Sequence, residues 1–367
     1  MKKTVAILLV FVFACGVFAG CAENKGNAPQ TSGVQGTDSV PQTPAVGSNV
    51  ITVGISLPDE EQARWKKDAE IMENSLKAAG YDVMIRYAGN DVSNQNFQIE
   101  ELIQDCRLLI IAAIDGAALS HSLYYAEQAQ IPVIAYETPI TNSEALSCCV
   151  TFDYYDLGIQ LADYIFDQFD IYSTDGLHTV ELAAGDPEDW TDEVIFNGAI
   201  DQLTIGLNDG KLIIKSQQTK YRQAAANAGG ARERMNTILS EDYSDGTVPD
   251  AIICTGDAVA REVTAALNER GTGSWPVITG VGCEQENVIN IYKGKQSMSL
   301  CLNTSAMALR TAEVAIAFLT GEELCPDAIG SYGLNAVPVF LERGEPVSKD
   351  NLSYLFEIGA YRSDLFQ

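Results

Sequence analysis

Short apolar runs alternate with stretches of helical period along the chain from residue 51 almost to its end. The first run, ITVGISL at 51–57, alternates poorly and is almost wholly apolar. That pattern predicts a strand buried on both faces of a parallel sheet. Pro58-Asp59 starts a turn, and 62–79 predict a helix ended by Gly80. Strands follow at 82–87, 107–114, 131–137 and 148–153. Between them, helices run from Ser93 or Asn94 to about Cys106, and from Asp115-Gly116 to about Gln130. Asp153 stands where an N-cap is wanted for a helix over 157–169.

The rhythm then restarts. Strands are predicted at 177–185, 211–217, 249–256, 275–282 and 296–303. The intervening helices span 190–206, 222–239, 258–270 (capped by Asp257) and 284–292. Thr304 caps a long helix over 306–319, ended by Gly321, and 337–341 form a last strand before an irregular tail. Strands separated by helices of this length imply an α/β fold with parallel sheets flanked by helices, and two successive runs imply two such units.

The ends of the chain modify that picture. Lys2 and Lys3, an apolar run at 5–13 and Phe18-Ala19-Gly20-Cys21 read as a lipoprotein signal over residues 1–20, with Cys21 as the lipidation site. Lipidation there anchors the protein outside the cytoplasmic membrane. Residues 21–49 are rich in Asn, Gly, Pro, Gln, Ser and Thr, the composition of a flexible linker. Loss of two lysines with the signal takes the net charge from −27 to −29, which argues against nucleic acid and anionic membrane surfaces as partners.

Candidate chemistry is sparse. Seven cysteines follow the linker, an odd number without CxxC spacing, several in strand-like runs, so buried thiols are expected rather than disulfides or a metal site. With His121 and His178 as the only histidines, no metal and no cofactor are expected. There is no GxSxG, P-loop, HExxH or GxGxxG after a strand, so an enzyme is not expected. What stands out is Arg64-Trp65, within one helical turn of the loop after the first strand. Ligands of open α/β sheets sit beyond the carboxyl ends of such strands, and Arg64 offers a planar fork of donors beside the flat face of Trp65.

An ordered set of motifs carries a resemblance. VGISLPDEEQARW, NQNFQIEELI, LLIIAAIDGAALS, IPVIAYE and VTFDYYDLG, then AAGDPED, PDAIICTGDAVA and YKGKQSMSLCLNTSAMA, resemble the periplasmic sugar-binding proteins of the xylose-binding and multiple-sugar-binding type. The resemblance covers essentially 51–361. It implies two doubly wound lobes joined by a three-segment hinge, a sugar held between them, and an ABC-type importer as partner. It places the crossings near Phe152–Asp153, Cys301–Asn303 and Pro338. Lobe one is then 51–151 plus 304–337, lobe two 152–303, and 338–367 a C-terminal strand and tail. The alternative is a sensory binding protein that presents its ligand to a membrane kinase or chemoreceptor.

By the same resemblance, Arg64 and Trp65 match the family's pocket arginine and its aromatic neighbour, and Asp115 its acid or amide after the third strand. Glu137 stands where the family has Asp followed by Arg, but Thr138 follows here. Lobe two departs further: Tyr154, the loop containing Asp189 and Trp190, Gly256-Asp257, Gly280-Val281-Gly282 and Leu302 replace amides and charges. The expected ligand contacts are Arg64, Trp65, Asp115, Glu137, Tyr154, Asp189, Trp190 and Asp257. Tyr154 and Trp190 could sandwich a ring, in a pocket more aromatic and less polar than a xylose or glucose site.

Overall fold

A computed structural model describes residues 50–226, 229–271, 273–332 and 334–366. The expected signal, linker and Cys21 lie outside the described residues. The first run of elements is β1 (Thr52–Leu57), α1 (Ala63–Ala78), β2 (Asp82–Tyr87), α2 (Val92–Asp105), β3 (Leu108–Ile111), α3 (Ser120–Gln128), β4 (Val133–Tyr136) and β5 (Leu146–Phe152). The second is α4 (Tyr154–Phe169), β6 (His178–Ala183), α5 (Trp190–Asn208), β7 (Leu212–Ile213), α6 (Tyr221–Ala224), α7 (Gly230–Glu241), β8 (Ala251–Cys254), α8 (Asp257–Arg270), β9 (Val277–Ile278), α9 (Gln285–Tyr292) and β10 (Met298–Cys301). The chain closes with α10 (Thr304–Thr320), β11 (Ala328–Ser331), β12 (Ala336–Glu342), β13 (Glu345–Ser348) and α11 (Ser353–Glu357).

Two sheets result. The first has the order β2-β1-β3-β4-β5-β12-β11, parallel throughout except for the β12–β11 pair. The second has the order β7-β6-β8-β9, all parallel. Beyond β9, Val281 bridges Leu300 of β10, and β10 pairs antiparallel with β13. The chain passes between the sheets at Phe152–Asp153, again at Leu302–Asn303, and finally between Glu342 and Glu345. The third passage differs from the expected one: Pro338 lies inside β12 in register with Ile329, and the strand stays in the first sheet through Glu342. Proline is tolerated there because the pairing of β12 with β5 begins only at Val339, which leaves Pro338 paired on one side alone.

Apolar side chains pack on both faces of the first sheet, as the continuous runs of β1, β3 and β4 require. Cys148 and Val150 face one core and Cys149 the other, following the two-residue period of β5. The partly buried Tyr154 and Leu302, each next to a crossing, pack against both a first-sheet core and a second-sheet core. α4 and α5 meet backbone to backbone. A Cβ on Gly158 would lie 1.9 Å from the Ile195 carbonyl oxygen, and one on Gly198 would lie 2.0 Å from that of Tyr155. Only glycine permits this approach, and it brings together the N-terminal ends of the helices that carry Tyr154 and Trp190.

Several elements differ from expectation for visible reasons. The third helix begins at Ser120 because the Asp115 carboxylate accepts the Ala117 N–H at 2.9 Å in a turn of its own. The strand expected over 211–217 pairs only at Leu212–Ile213, and Ser216 turns its hydroxyl and amide to the buried Glu181 carboxylate. The helix expected over 222–239 is split into α6 and α7. Asn303, not Thr304, caps α10, accepting the Ala306 N–H at 3.1 Å. The tail adds β13 and α11 to the second sheet's side, packed on a cluster that includes Cys283, Val288 and Cys301.

Candidate functional site

The site is assembled at the carboxyl ends of β1 and β4, where α1 begins. Gln95 ties the end of β1 to the segment after β3: its amide donates to Ser56 Oγ at 3.2 Å and to the Ala112 carbonyl at 2.9 Å, and its carbonyl oxygen accepts the Ile114 N–H at 3.0 Å. Arg64 lies in the first turn of α1 and its guanidinium forms a two-pronged ion pair with Glu137, Nη1 to Oε1 at 3.1 Å and Nη2 to Oε2. Its Cζ lies 4.0 Å from the centre of the Trp65 ring. Trp65 itself is buried in the core edge-on to Tyr136, with centroids 6.4 Å apart, so it serves as the floor under Arg64.

Behind this pair is a closed polar network. The Tyr136 hydroxyl donates to Asp68 Oδ2 at 2.9 Å, and the Thr304 hydroxyl donates to Asp68 Oδ1 at 3.0 Å. Asp68 also lies 3.8 Å from Arg64 Nε, one helical turn along α1. Burial raises the Asp68 carboxyl above its usual range, opposed by Arg64, Tyr136 and Thr304. For Arg64, burial alone would weaken the charge, but Glu137 outweighs it and holds the guanidinium more firmly protonated than usual. Asp68, Tyr136 and Thr304 were not among the residues expected from sequence. The spacing of Arg64 and Asp68 on one helix face was the available signal.

Glu137 follows β4 in a left-handed conformation, φ 65°, which costs a non-glycine residue roughly 1–2 kcal/mol. Its backbone is pinned there: its N–H donates to the Val150 carbonyl at 2.8 Å, and its own carbonyl accepts the Thr151 hydroxyl at 2.7 Å. This conformation aims the carboxylate at an arginine 73 positions away in the sequence.

Tyr154 continues the site across the first crossing. Burial drives its hydroxyl upward, reinforced by the Glu137 carboxylate and opposed by Thr151. Its ring meets Trp190 edge-on at 5.3 Å, and Trp190 is 45% exposed at the start of α5. Tyr154 thus lies within electrostatic reach of Glu137 and Arg64 on the first sheet's side and touches Trp190 on the second's. The Trp190 loop is held from below by the Tyr221 hydroxyl, which donates to the carbonyls of Asp186 and Asp189 (3.1 Å to Asp189).

The other expected contacts have local roles. Asp189 caps α5, accepting the Thr191 N–H at 2.8 Å, and is exposed beside Trp190. Asp115 is exposed at its turn. Asp257 is turned away from solvent. It is buried in the first turn of α8, where its carboxylate accepts the Glu284 N–H at 2.8 Å, the Ser299 hydroxyl at 2.8 Å and the Gln296 amide at 3.1 Å. Those donors consume its acceptor capacity in holding the loop after β9 to β10. A cavity of about 340 Å³ opens on the other side of Arg64, bordered by Lys67, Leu302, Asn303, Ser305 and Tyr361. Among the described residues, no group of three or more His, Cys, Asp or Glu side chains could hold a metal ion.

Comparison with known proteins gives this geometry a lineage. Residues 53–323 match the model of a periplasmic binding protein domain. The chain is 31% identical over 334 residues to the multiple sugar-binding periplasmic receptor ChvE of Rhizobium radiobacter, covering 88% of this chain and 94% of that protein. It is 25% identical over 309 residues to the D-xylose-binding periplasmic protein of Escherichia coli, covering 84% of this chain and 90% of that one. An ABC transporter solute-binding protein from Clostridium phytofermentans, solved with bound β-D-glucose, superposes with a TM-score of 0.71 at 35% identity, over 86% of this chain and all of that one. With this match over residues 53–323 and these full-length relatives, the chain belongs to the periplasmic binding protein domain family.

Proposed function

We propose that this protein is an extracytoplasmic solute-binding protein that captures a sugar or sugar-like ligand between its two lobes. The observation that carries the reading is the Arg64–Glu137 pair laid over Trp65, with Tyr154 and Trp190 adjoining it. Vicinal hydroxyls need donors and acceptors at matched spacing, and a guanidinium beside a carboxylate offers both. The apolar C–H face of a sugar ring needs a flat partner, and Trp190 offers an exposed one. Closure of the lobes over the ligand expels water, and the ligand's binding energy selects the closed state.

The sugars named for the relatives support the ligand class. The departures at Tyr154, Trp190, Val281 and Leu302 support a ligand with an apolar face or substituent, such as a glycoside or modified sugar. The protein is held at the outer face of the cytoplasmic membrane by a lipid on Cys21 and delivers its ligand to the permease and ATPase subunits of an ABC importer. It binds without turnover.

A thermal-shift screen over aldoses, glycosides and nucleosides tests the ligand class. A saturable rise in melting temperature with at least one sugar or glycoside is expected. A flat response to all of them, or a response to nucleosides alone, overturns it. For the anchor, Cys21→Ser is expected to release the protein from the membrane fraction, and unchanged membrane association would contradict the lipid.

A further inference from the structure

Cys283 and Cys301 occupy adjoining positions on the second sheet's side. Cys301 is the last residue of β10, and Cys283 lies just past the Val281–Leu300 bridge. The Leu300 N–H donates to the Gly280 carbonyl at 2.9 Å, the Gly282 N–H to the Leu300 carbonyl at 2.8 Å, and the Cys283 N–H to Ser299 Oγ at 3.0 Å. These bonds hold the two cysteines on neighbouring segments, Cys283 two residues and Cys301 one residue past the bridge. Both side chains belong to one buried cluster with Val288 and Val347, where the Cys283 thiol donates to the Ser299 carbonyl oxygen at 3.4 Å. Both thiols are free and both border the cavity beside Arg64, which gives a small reagent a route to them.

The other thiols are arranged differently. Cys148 and Cys149 are sequence neighbours but face opposite sides of β5. Cys106 and Cys254 belong to separate cores, and Cys325 is exposed. We propose that Cys283 and Cys301 are a dithiol site that forms a reversible disulfide with an oxidant of the disulfide class, joining the loop after β9 to the second crossing.

The step balances as two successive exchanges. The neighbouring Cys283 holds the Cys301 thiol below its ordinary range, so Cys301 is the attacking thiolate. Cys301 attacks one sulfur of oxidised glutathione, forming a mixed disulfide and releasing one glutathione thiolate, which takes up a proton. Cys283 then loses its proton and attacks the Cys301 sulfur, releasing the second glutathione. Two protein thiols are oxidised by two electrons, and one glutathione disulfide is reduced to two thiols.

The bond would act on the cleft. Cys301 directly precedes Leu302–Asn303, where the chain crosses between sheets, and the Cys283 carbonyl accepts the Tyr361 hydroxyl of the C-terminal segment at 2.8 Å. Closing the loop over 283–301 removes freedom from the unfolded chain, so the oxidised form melts higher by about 3–6 °C.

The test uses the whole folded protein incubated with oxidised or reduced glutathione, then alkylated in denaturant and digested with trypsin. Lys293 and Lys295 separate the two cysteines, so the bond would hold two tryptic peptides together. The expected result is that linked pair, lighter by two hydrogens than its parts, only in the oxidised sample and lost on reduction. Cys283→Ser and Cys301→Ser should each abolish both the link and the melting shift. If neither variant folds, the wild-type map still decides. Alkylation of both cysteines after oxidation, glutathione adducts without a bridge, or either cysteine linked to a different partner would each overturn the proposal.

Discussion

Replacing Glu137 by glycine separates two roles that most substitutions would confound. Glu137 sits at φ 65°, so glycine relieves roughly 1–2 kcal/mol of backbone strain. Against this, the ion pair with Arg64 is lost, and the two side chains are 34% and 17% exposed, between the surface and buried cases. That loss is worth about 2 kcal/mol, and glycine adds roughly 0.5–1 kcal/mol of unfolded-chain entropy. The net change in stability is therefore small, on the order of 1 kcal/mol destabilising. Binding should respond differently. A charge-assisted hydrogen bond to a ligand hydroxyl contributes about 1.5–3 kcal/mol, so affinity falls roughly 10- to 150-fold. Urea unfolding followed by tryptophan fluorescence gives the first quantity, and calorimetric titration with β-D-glucose or the tightest ligand of the screen gives the second. Glu137→Asn, which also tolerates the left-handed conformation, should behave in the same way. A loss of more than about 4 kcal/mol in stability with affinity intact would make the pair a strut between β4 and α1, and the reasoning would fail.

Gly198→Ala places a methyl 2.0 Å from the Tyr155 carbonyl oxygen, so α4 and α5 must separate. A drop of about 2–4 kcal/mol in urea stability and a changed Trp190 emission are expected, and an unshifted midpoint would refute the close approach. Burial drives the Asp192 carboxyl up to about 6, only partly opposed by the Thr255 hydroxyl and the Gly185 N–H. Its folded value exceeds its unfolded one, so the stability it contributes is complete below about pH 4 and is lost as pH rises through about 6. Asp192→Asn should accordingly stabilise the protein by up to about 3 kcal/mol near neutral pH and not at about pH 4, as read from melting curves across pH. A gain that does not vary with pH would sink this assignment. Trp190→Ala should weaken ligand binding about tenfold while changing stability by under about 1 kcal/mol, since the ring is half exposed.

The fold was largely readable because both sheets use buried parallel strands, whose continuous apolar runs need no partner to be recognised. β1, β3, β4, β6 and β8 are of this kind. β11 is not: Ile329 is 65% exposed, and the strand exists through its pairing with β12. β9 and β7 are shorter than their apolar runs because the residues after them turn to bind loops and the buried Glu181. Within the site, Arg64 was expected from its place after β1 and Glu137 from the family resemblance, but their pairing spans 73 residues and depends on the left-handed turn at Glu137, which no local pattern announces. Asp257 shows the converse. Its place at a strand end suggested a ligand contact, yet its three donors come from α9's start and from residues 296 and 299, which only the folded sheet brings near.

The most direct test of the account is calorimetric titration of the wild-type protein and Arg64→Ala against a panel of aldoses and glycosides headed by β-D-glucose. The account predicts saturable single-site binding of at least one of them, weakened about 100-fold in the variant because the fork and its hold on Glu137 are both lost. No heat with any member of the panel, or equal affinity in the two proteins, would contradict it.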